Sequence, residues 1–511
     1  MKHVWISIFM MASLCVTHGI TAEKQTAAAP NADLQAILDR GDDLLLKTGQ
    51  VYRVKQALKF RKPGQRIATL GATHISDYAT LRLDDKEFAQ LVNGNGQSNA
   101  VLEQVILDGN RYALSHVGPV PENGNALVHF GGHKADGQTV RNCVFMNLRS
   151  WSMLKLHEGA KGCRVEANIL LGAGADIRGN GRDGRERAPA WGDGISCAAR
   201  DSMVRDNLII DPTDGAVVVF AAQGSIIEEN VIAAVSRESL GGVNLVDPIG
   251  YYHEAGSTNR TSYAGTTVRN NLFDVFGARI HIILPIGAPI WAPRTMGQIL
   301  TKGTVINNVL QGDAGGYGLV ANYIDDFVIT GNVSCAKYSG IGEGRSPTLP
   351  PDEPGPFLYN ASEIGSSVLQ CEFKNSERHL LHLLRCNHQK PNMLGYRFYE
   401  YGQYEGPAVV RSAYLEMLGR QPTTEELAYS LTWLNNAKAN ADELRRILMA
   451  LPEFTSKYGF VPPEELHPYR VKLWFNNLDQ IRRAYFEKHG SFPSAKIQYE
   501  QALLKLNRSR L

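Results

Sequence analysis

Between Asp193 and Ile232 one pattern occurs twice. Asp193-Gly-Ile-Ser-Cys, a turn and Met203-Val-Arg-Asp-Asn-Leu-Ile are followed by Asp214-Gly-Ala-Val-Val-Val, a turn and Ile226-Ile-Glu-Glu-Asn-Val-Ile. The period is 21 residues between the aspartates and 23 between Asn207 and Asn230. Short β-branched strands repeating at this interval, with an Asn at a fixed place, restrict a chain to a solenoid of strands.

The pattern is an aliphatic residue, two variable residues, a small polar residue and then apolar ones. It extends through Val101–Gln104, Val140–Cys143, Val165–Asn168, Val204–Asn207, Ile227–Asn230, Val268–Asn271, Val305–Asn308, Ile329–Asn332 and Val368–Cys371. The separations are 39, 25, 39, 23, 41, 37, 24 and 39 residues, so the short ones are bare coils and the long ones carry an insertion. An inward Asn at a bend bonds the backbone of its own turn and the Asn amide of the next coil, satisfying groups that an ordinary turn leaves bare. Cys143 and Cys371 fall at the same position, where a small buried side chain suffices. A second strand column reads Leu127–Phe130, Met153–His157, Gly194–Cys197, Gly215–Val218, Gly242–Leu245, Ala278–His281, Gly318–Ala321 and Gly340–Glu343.

This pattern resembles the right-handed parallel β-helix of the pectate-lyase-like superfamily. The resemblance implies a mainly β fold of triangular coils over residues 32–403. Ala32 to Arg40 reads as an amphipathic helix that caps the open end of the solenoid. After residue 404 the period becomes helical, and Thr423-Thr-Glu-Glu426 forms a capping box. The stretch with Leu418-Gly-Arg-Gln-Pro422 and Pro452-Glu-Phe454 resembles a small helical domain of unknown function found in bacterial secreted proteins. Residues 404–511 are therefore expected to form a C-terminal α-helical domain. Its last 51 residues hold nine Lys/Arg against five Asp/Glu, suited to a solvated face or to docking an acidic partner.

Residues 1–22 read as a signal peptide, with Lys2, an apolar run from Trp5 to Val16 and Ala22 at the cleavage point, so the protein is expected to be secreted or periplasmic. No later segment reads as membrane-spanning, and a net charge of +2 gives no general argument for nucleic acid. Six cysteines remain after Cys15 is removed, an even number that permits disulfides in an exported chain, and no CxxC suggests a metal site.

Asp193 and Asp214 begin adjacent strands. Two close carboxylates disfavour joint ionisation, the arrangement by which glycosidases set an acid beside a base or nucleophile; alternatively each only starts its strand through an Asp-Gly turn. Gly192-Asp-Gly-Ile195 and Thr213-Asp-Gly-Ala216 resemble the aspartate pattern of polygalacturonases, the family-28 hydrolases. That resemblance implies Asp214 as general acid and Asp193 as base, with Arg279 and His281 in place of an Arg-Ile-Lys motif. Thr213 replaces one of the three acids, and Asp247 is the candidate to supply it.

Arg182 and Arg187, from a run of four arginines before Asp193, suit an anionic sugar. Tyr251, Tyr252, His253, Trp291, Arg294, Glu343 and Arg345 extend the expected binding column. His129, His133 and His157 lie on earlier coils.

The expected activity is cleavage of an acidic polysaccharide, by hydrolysis without a cofactor. Uronate elimination or epimerisation is the alternative, with Arg279, Lys155 or His253 as base and Arg182 or a calcium ion at Asp193, Asp214 and Asp247 as neutraliser. A non-catalytic glycan-binding solenoid is the third reading.

Overall fold

The computed structural model describes residues 26–114, 126–175, 191–246, 260–291, 298–340, 354–376, 404–437, 439–462 and 465–508. Residues 34–39 form the cap helix, with Asp33 accepting from Ala36 N–H and Leu34 and Leu38 buried. Among the described residues the strands that follow build three long parallel sheets, A, B and C, of eleven, ten and eleven strands, and a small three-stranded parallel sheet from 260–262, 299–301 and 324–325. One coil contributes Thr139–Arg141 to sheet A, Val144–Met146 to sheet B and Ser152–His157 to sheet C. The chain is a right-handed parallel β-helix followed by helices.

The short strands persist because their inward residues fill one continuous apolar column: Val140, Phe145 and Leu154 in one coil, Val204 and Ile209 in a later one. Between residues 140 and 333 each step from sheet A to sheet B turns on one left-handed residue. Asn142, Ala167, Asp206, Glu229, Asn270 and Asn307 have φ of 53–56°, and Gly331 has 68°. The next residue is the ladder Asn. The backbone N–H and Nδ2 of Asn168, Asn207, Asn230, Asn271 and Asn308 each donate to Oδ1 of the following Asn, at 2.9–3.1 Å. Each Nδ2 also reaches a carbonyl one coil back, as from Asn230 to Val204 at 2.9 Å. Cys143 tops the ladder: its N–H donates to Asn168 Oδ1, and its thiol reaches Leu102 O at 3.6 Å.

At both ends the expected ladder slips by one residue. Val140 pairs with Leu102, so Cys143 stands opposite Val105, and Gln104 is the left-handed turn residue. At the other end Gln370, not Cys371, receives the N–H of Asn332. The sheet C column also shifts: Gly241 pairs with Ile282, so the strand expected at Ala278–His281 is Ile280–Ile286. Leu319–Ala321 pairs in sheet C with Phe357–Tyr359; of the last expected strand, Gly340–Glu343, only Gly340 lies within the described residues. Cys143, Cys163, Cys197, Cys335 and Cys371 are free thiols; Cys386 lies outside the described residues.

The outer surfaces of the sheets differ. On sheet A, Glu103, Arg141, Glu166, Arg205, Glu228 and Arg269 stand in register on successive coils, alternating in sign. Arg141 bonds Glu103 at 2.6 Å and Arg269 bonds Glu228 at 2.7 Å. Opposite charges on directly facing residues stabilise such pairing.

Sheet B is covered. Val144, Ile169, Leu208, Ile210, Val231 and Leu272 pack against Trp474, Leu478, Ile481, Tyr499 and Ala502 of the helices at 466–489 and 495–508. This basic C-terminal segment, expected as a solvated face or an acidic docking surface, thus buries its apolar side on the solenoid. The capping box at Thr423 and Glu426 opens helix 424–436 as expected. Buried ion pairs add to this packing: Arg470 of helix 466–489 bonds Asp211 of the solenoid at 2.9 Å, and Arg445 bonds Glu416 between two other helices at 2.6 Å.

Candidate active site

With a charge ladder along sheet A and sheet B covered, sheet C is the face that carries a cluster of polar side chains. His129, Lys155 and Ser196 stand in register on three successive strands, a spacing of about 4.8 Å per coil. Asp193 belongs to the same cluster. Its Oδ2 accepts from Ser196 Oγ at 2.8 Å and its Oδ1 from Gly215 N–H at 3.0 Å. Ser152 Oγ lies 2.7 Å from Ser196 Oγ, completing a buried hydroxyl pair. Burial raises the Asp193 carboxyl to about 7, against the bonds from Ser196 and Gly215 and the charge of Lys155, which favour ionisation. Burial also lowers the pKa of Lys155, against the opposing pull of Glu158 and Asp193.

His129 and His157 form a stacked pair with ring centroids 4.9 Å apart, and His129 Nδ1 is 2.7 Å from His157 Nε2. Burial is the main cause that pushes His129 down to about 3 and His157 down to about 4. Asn244, fully buried on the strand after Asp214, has neither amide atom hydrogen-bonded. It is seated by two glycines, since a Cβ at Gly215 or Gly241 would come within 2.5 or 2.0 Å of its amide. A buried amide in this state calls for a partner such as water.

The aspartates are not a matched pair. Ile195 pairs with Val217, which carries Asp193 to the level of Gly215, while Asp214 N–H donates to Gly192 O. Asp214 is therefore one residue out of step with Asp193, although it too is buried. Arg279, expected to contact sugar, has another partner in the structure. Its guanidinium is buried and paired with Glu405 at the start of helix 405–418, so it ties that helix to the solenoid. His281 is buried too, 3.2 Å from Glu238 Oε2.

Asp247, Arg182, Arg187, Tyr251, Tyr252, His253, Arg294, Glu343 and Arg345 lie outside the described residues, as does the signal segment. The backbone of Trp291 ends the short helix 288–291. His133 is exposed. Among the described residues no His, Cys, Asp and Glu group could hold a metal, and no helix is long and apolar enough to cross a membrane.

The sequence displayed Lys155, His129 and His157 but not their grouping. Ser152, Ser196, Asn244, Glu238 and Glu405 were missed: single polar residues in apolar strands carry no signal until the register is known.

Fold and site together define a parallel β-helix protein with a polar cluster on one sheet. No family model matches the chain, and no curated protein matches it. Among solved structures it is similar to the tailspike protein of E. coli bacteriophage HK620 in complex with a pentasaccharide, at 13% identity and a TM-score of 0.45 over 69% of this chain and 61% of the tailspike chain. A mutant of the same tailspike in complex with a hexasaccharide gives 14% identity and a TM-score of 0.44 over 61% and 54%. The chain thus spans only about half to three fifths of the length of these tailspike chains.

Proposed function

We propose that this protein is an exported enzyme that cleaves an acidic polysaccharide on the outer face of sheet C. The observation that carries this reading is Asp193, a buried carboxyl raised to about 7 and oriented by Ser196 and Gly215 N–H. A carboxyl that keeps its proton near neutrality can protonate a leaving glycosidic oxygen. In hydrolysis Asp193 gives its proton to that oxygen as the C–O bond breaks. Asp214 takes a proton from the water that adds to the anomeric carbon. These roles reverse the assignment implied by the polygalacturonase resemblance. No metal is required for either step.

One observation favours elimination as the second reading. Lys155, its pKa lowered by burial, is the nitrogen base beside Asp193, while Asp214 stands out of register. The test is a screen of acidic and neutral polysaccharides read by reducing ends and by the ultraviolet absorbance of an unsaturated uronide. Hydrolysis releases reducing ends without absorbance, and Asp193→Asn abolishes it in a folded protein. Both signals together would establish elimination. Binding without turnover on every substrate would leave a glycan-binding protein.

A further inference from the structure

The histidine pair has only one consistent arrangement of protons. Ala126 N–H donates to His129 Nε2 at 3.0 Å, and a backbone amide can only donate. Nε2 of His129 therefore carries the lone pair, and its ring proton sits on Nδ1. That Nδ1–H points at His157 Nε2, 2.7 Å away, which must accept. The proton of His157 is consequently on Nδ1. Protonating either ring would set two N–H groups against each other, here or at Ala126, so geometry as well as burial keeps both rings neutral.

His129 is 6% exposed and holds the relay in place, whereas His157 is part-exposed. Gly131, the register partner of His157, puts no side chain beside the imidazole. Lys155 is part-exposed two residues away on the same strand, so it shares a face with His157. Glu158 and Asp193 are among the charged groups that act on Lys155, and Asp193 keeps its proton up to near neutrality.

We propose that His157 is a fixed N–H donor which, with the Lys155 ammonium, receives the carboxylate of a uronate ring. This inference rests on the hydrolytic form of the polysaccharide reading, in which Lys155 is not the base, and supplies its charge specificity. One oxygen of the carboxylate accepts from His157 Nδ1–H and the other from Lys155, so His157 positions substrate and cannot serve as the base. A neutral sugar ester lacks the charge that both donors reward.

The tautomers are read directly by side-chain nitrogen NMR of the labelled full chain, with His157→Gln and His129→Gln for assignment. Both rings are expected as neutral Nδ1–H forms from pH 5.5 to 8. Trigalacturonate and trimannuronate are then titrated, each against its methyl ester. The acid form of at least one is expected to move the His157 signal and to bind about tenfold more tightly than its ester. His157→Phe should erase most of that preference, and His157→Asn, which keeps an N–H donor, should retain it. An Nε2–H form of His157, or a preference unchanged in His157→Phe, overturns the proposal. If neutral glycans are cleaved and the esters bind as well as the acids, the carboxylate subsite is overturned while the enzymatic reading stands. If no glycan binds, both fall.

Discussion

Replacing Asn230 by Ala takes one rung out of the ladder. Its Oδ1 accepts from the backbone N–H and Nδ2 of Asn207, and its Nδ2 donates to Val204 O and Asn271 Oδ1, all at 2.9–3.0 Å and all buried. Four bonds at about 1 kcal/mol net each give roughly 4 kcal/mol, and Asn207, with two donors left dry, keeps the figure from falling lower. At a urea dependence of about 3 kcal/mol per molar, the unfolding midpoint drops by roughly 1 M. Gln370→Ala is the control. Gln370 ends the ladder and is part-exposed, so water replaces its bonds to Asn332 and the loss is about 1 kcal/mol. Circular dichroism through urea unfolding measures both. Equal small losses in the two variants would refute the claim that buried amide stacking holds the coils together.

Three further outcomes are expected. Ala167→Gly relieves a left-handed residue (φ 55°) and stabilises by up to about 1 kcal/mol, whereas Gly331→Ala destabilises by roughly 2 kcal/mol because its Cβ would meet Asn307 Oδ1 at 2.4 Å; thermal melts compare the two. The raised Asp193 carboxyl means that the folded state binds the extra proton, so wild-type stability is greatest below the unfolded carboxylate pKa of about 3.9 for this term and falls as pH rises toward 7. Asp193→Asn removes that decline, read as a flatter urea midpoint between pH 4.5 and 8. Arg279→Gln leaves Glu405 buried without its partner and costs about 3 kcal/mol in a melt, with the Michaelis constant for any cleaved polysaccharide unchanged; a raised Michaelis constant at unchanged stability would return Arg279 to the sugar site.

The coils were legible because a buried amide column imposes one residue type at one place, and nothing cheaper satisfies that turn. Legibility failed at the two ends: Val105 occupies the column at one, behind a left-handed Gln104 that carries no type signal, and at the other the Gln370 side chain closes it from the end of a strand. The site was harder to read. Whether two residues share a level on sheet C depends on the loop lengths between coils, so Asp193 and Asp214 read as partners although their strands meet one residue apart. Arg279 read as a sugar ligand because its partner, Glu405, comes from a helix 126 residues further on. The proton order of His129 and His157 rests on a backbone amide at Ala126, which every residue type supplies.

The alternating charges on sheet A favour changes of length by pairs of coils along the run from Glu103 to Arg269. Within that run neighbouring coils carry opposite signs, so the unit that can be gained or lost there without conflict is two coils. Excising the coil that carries Arg205 would bring Glu166 against Glu228, and excising the Glu228 coil would bring Arg205 against Arg269. Duplication by pairs would preserve both this pattern and the asparagine column. The outer surface thereby sets a parity on how a chain of this kind lengthens, a constraint that the interior, indifferent to sign, does not impose.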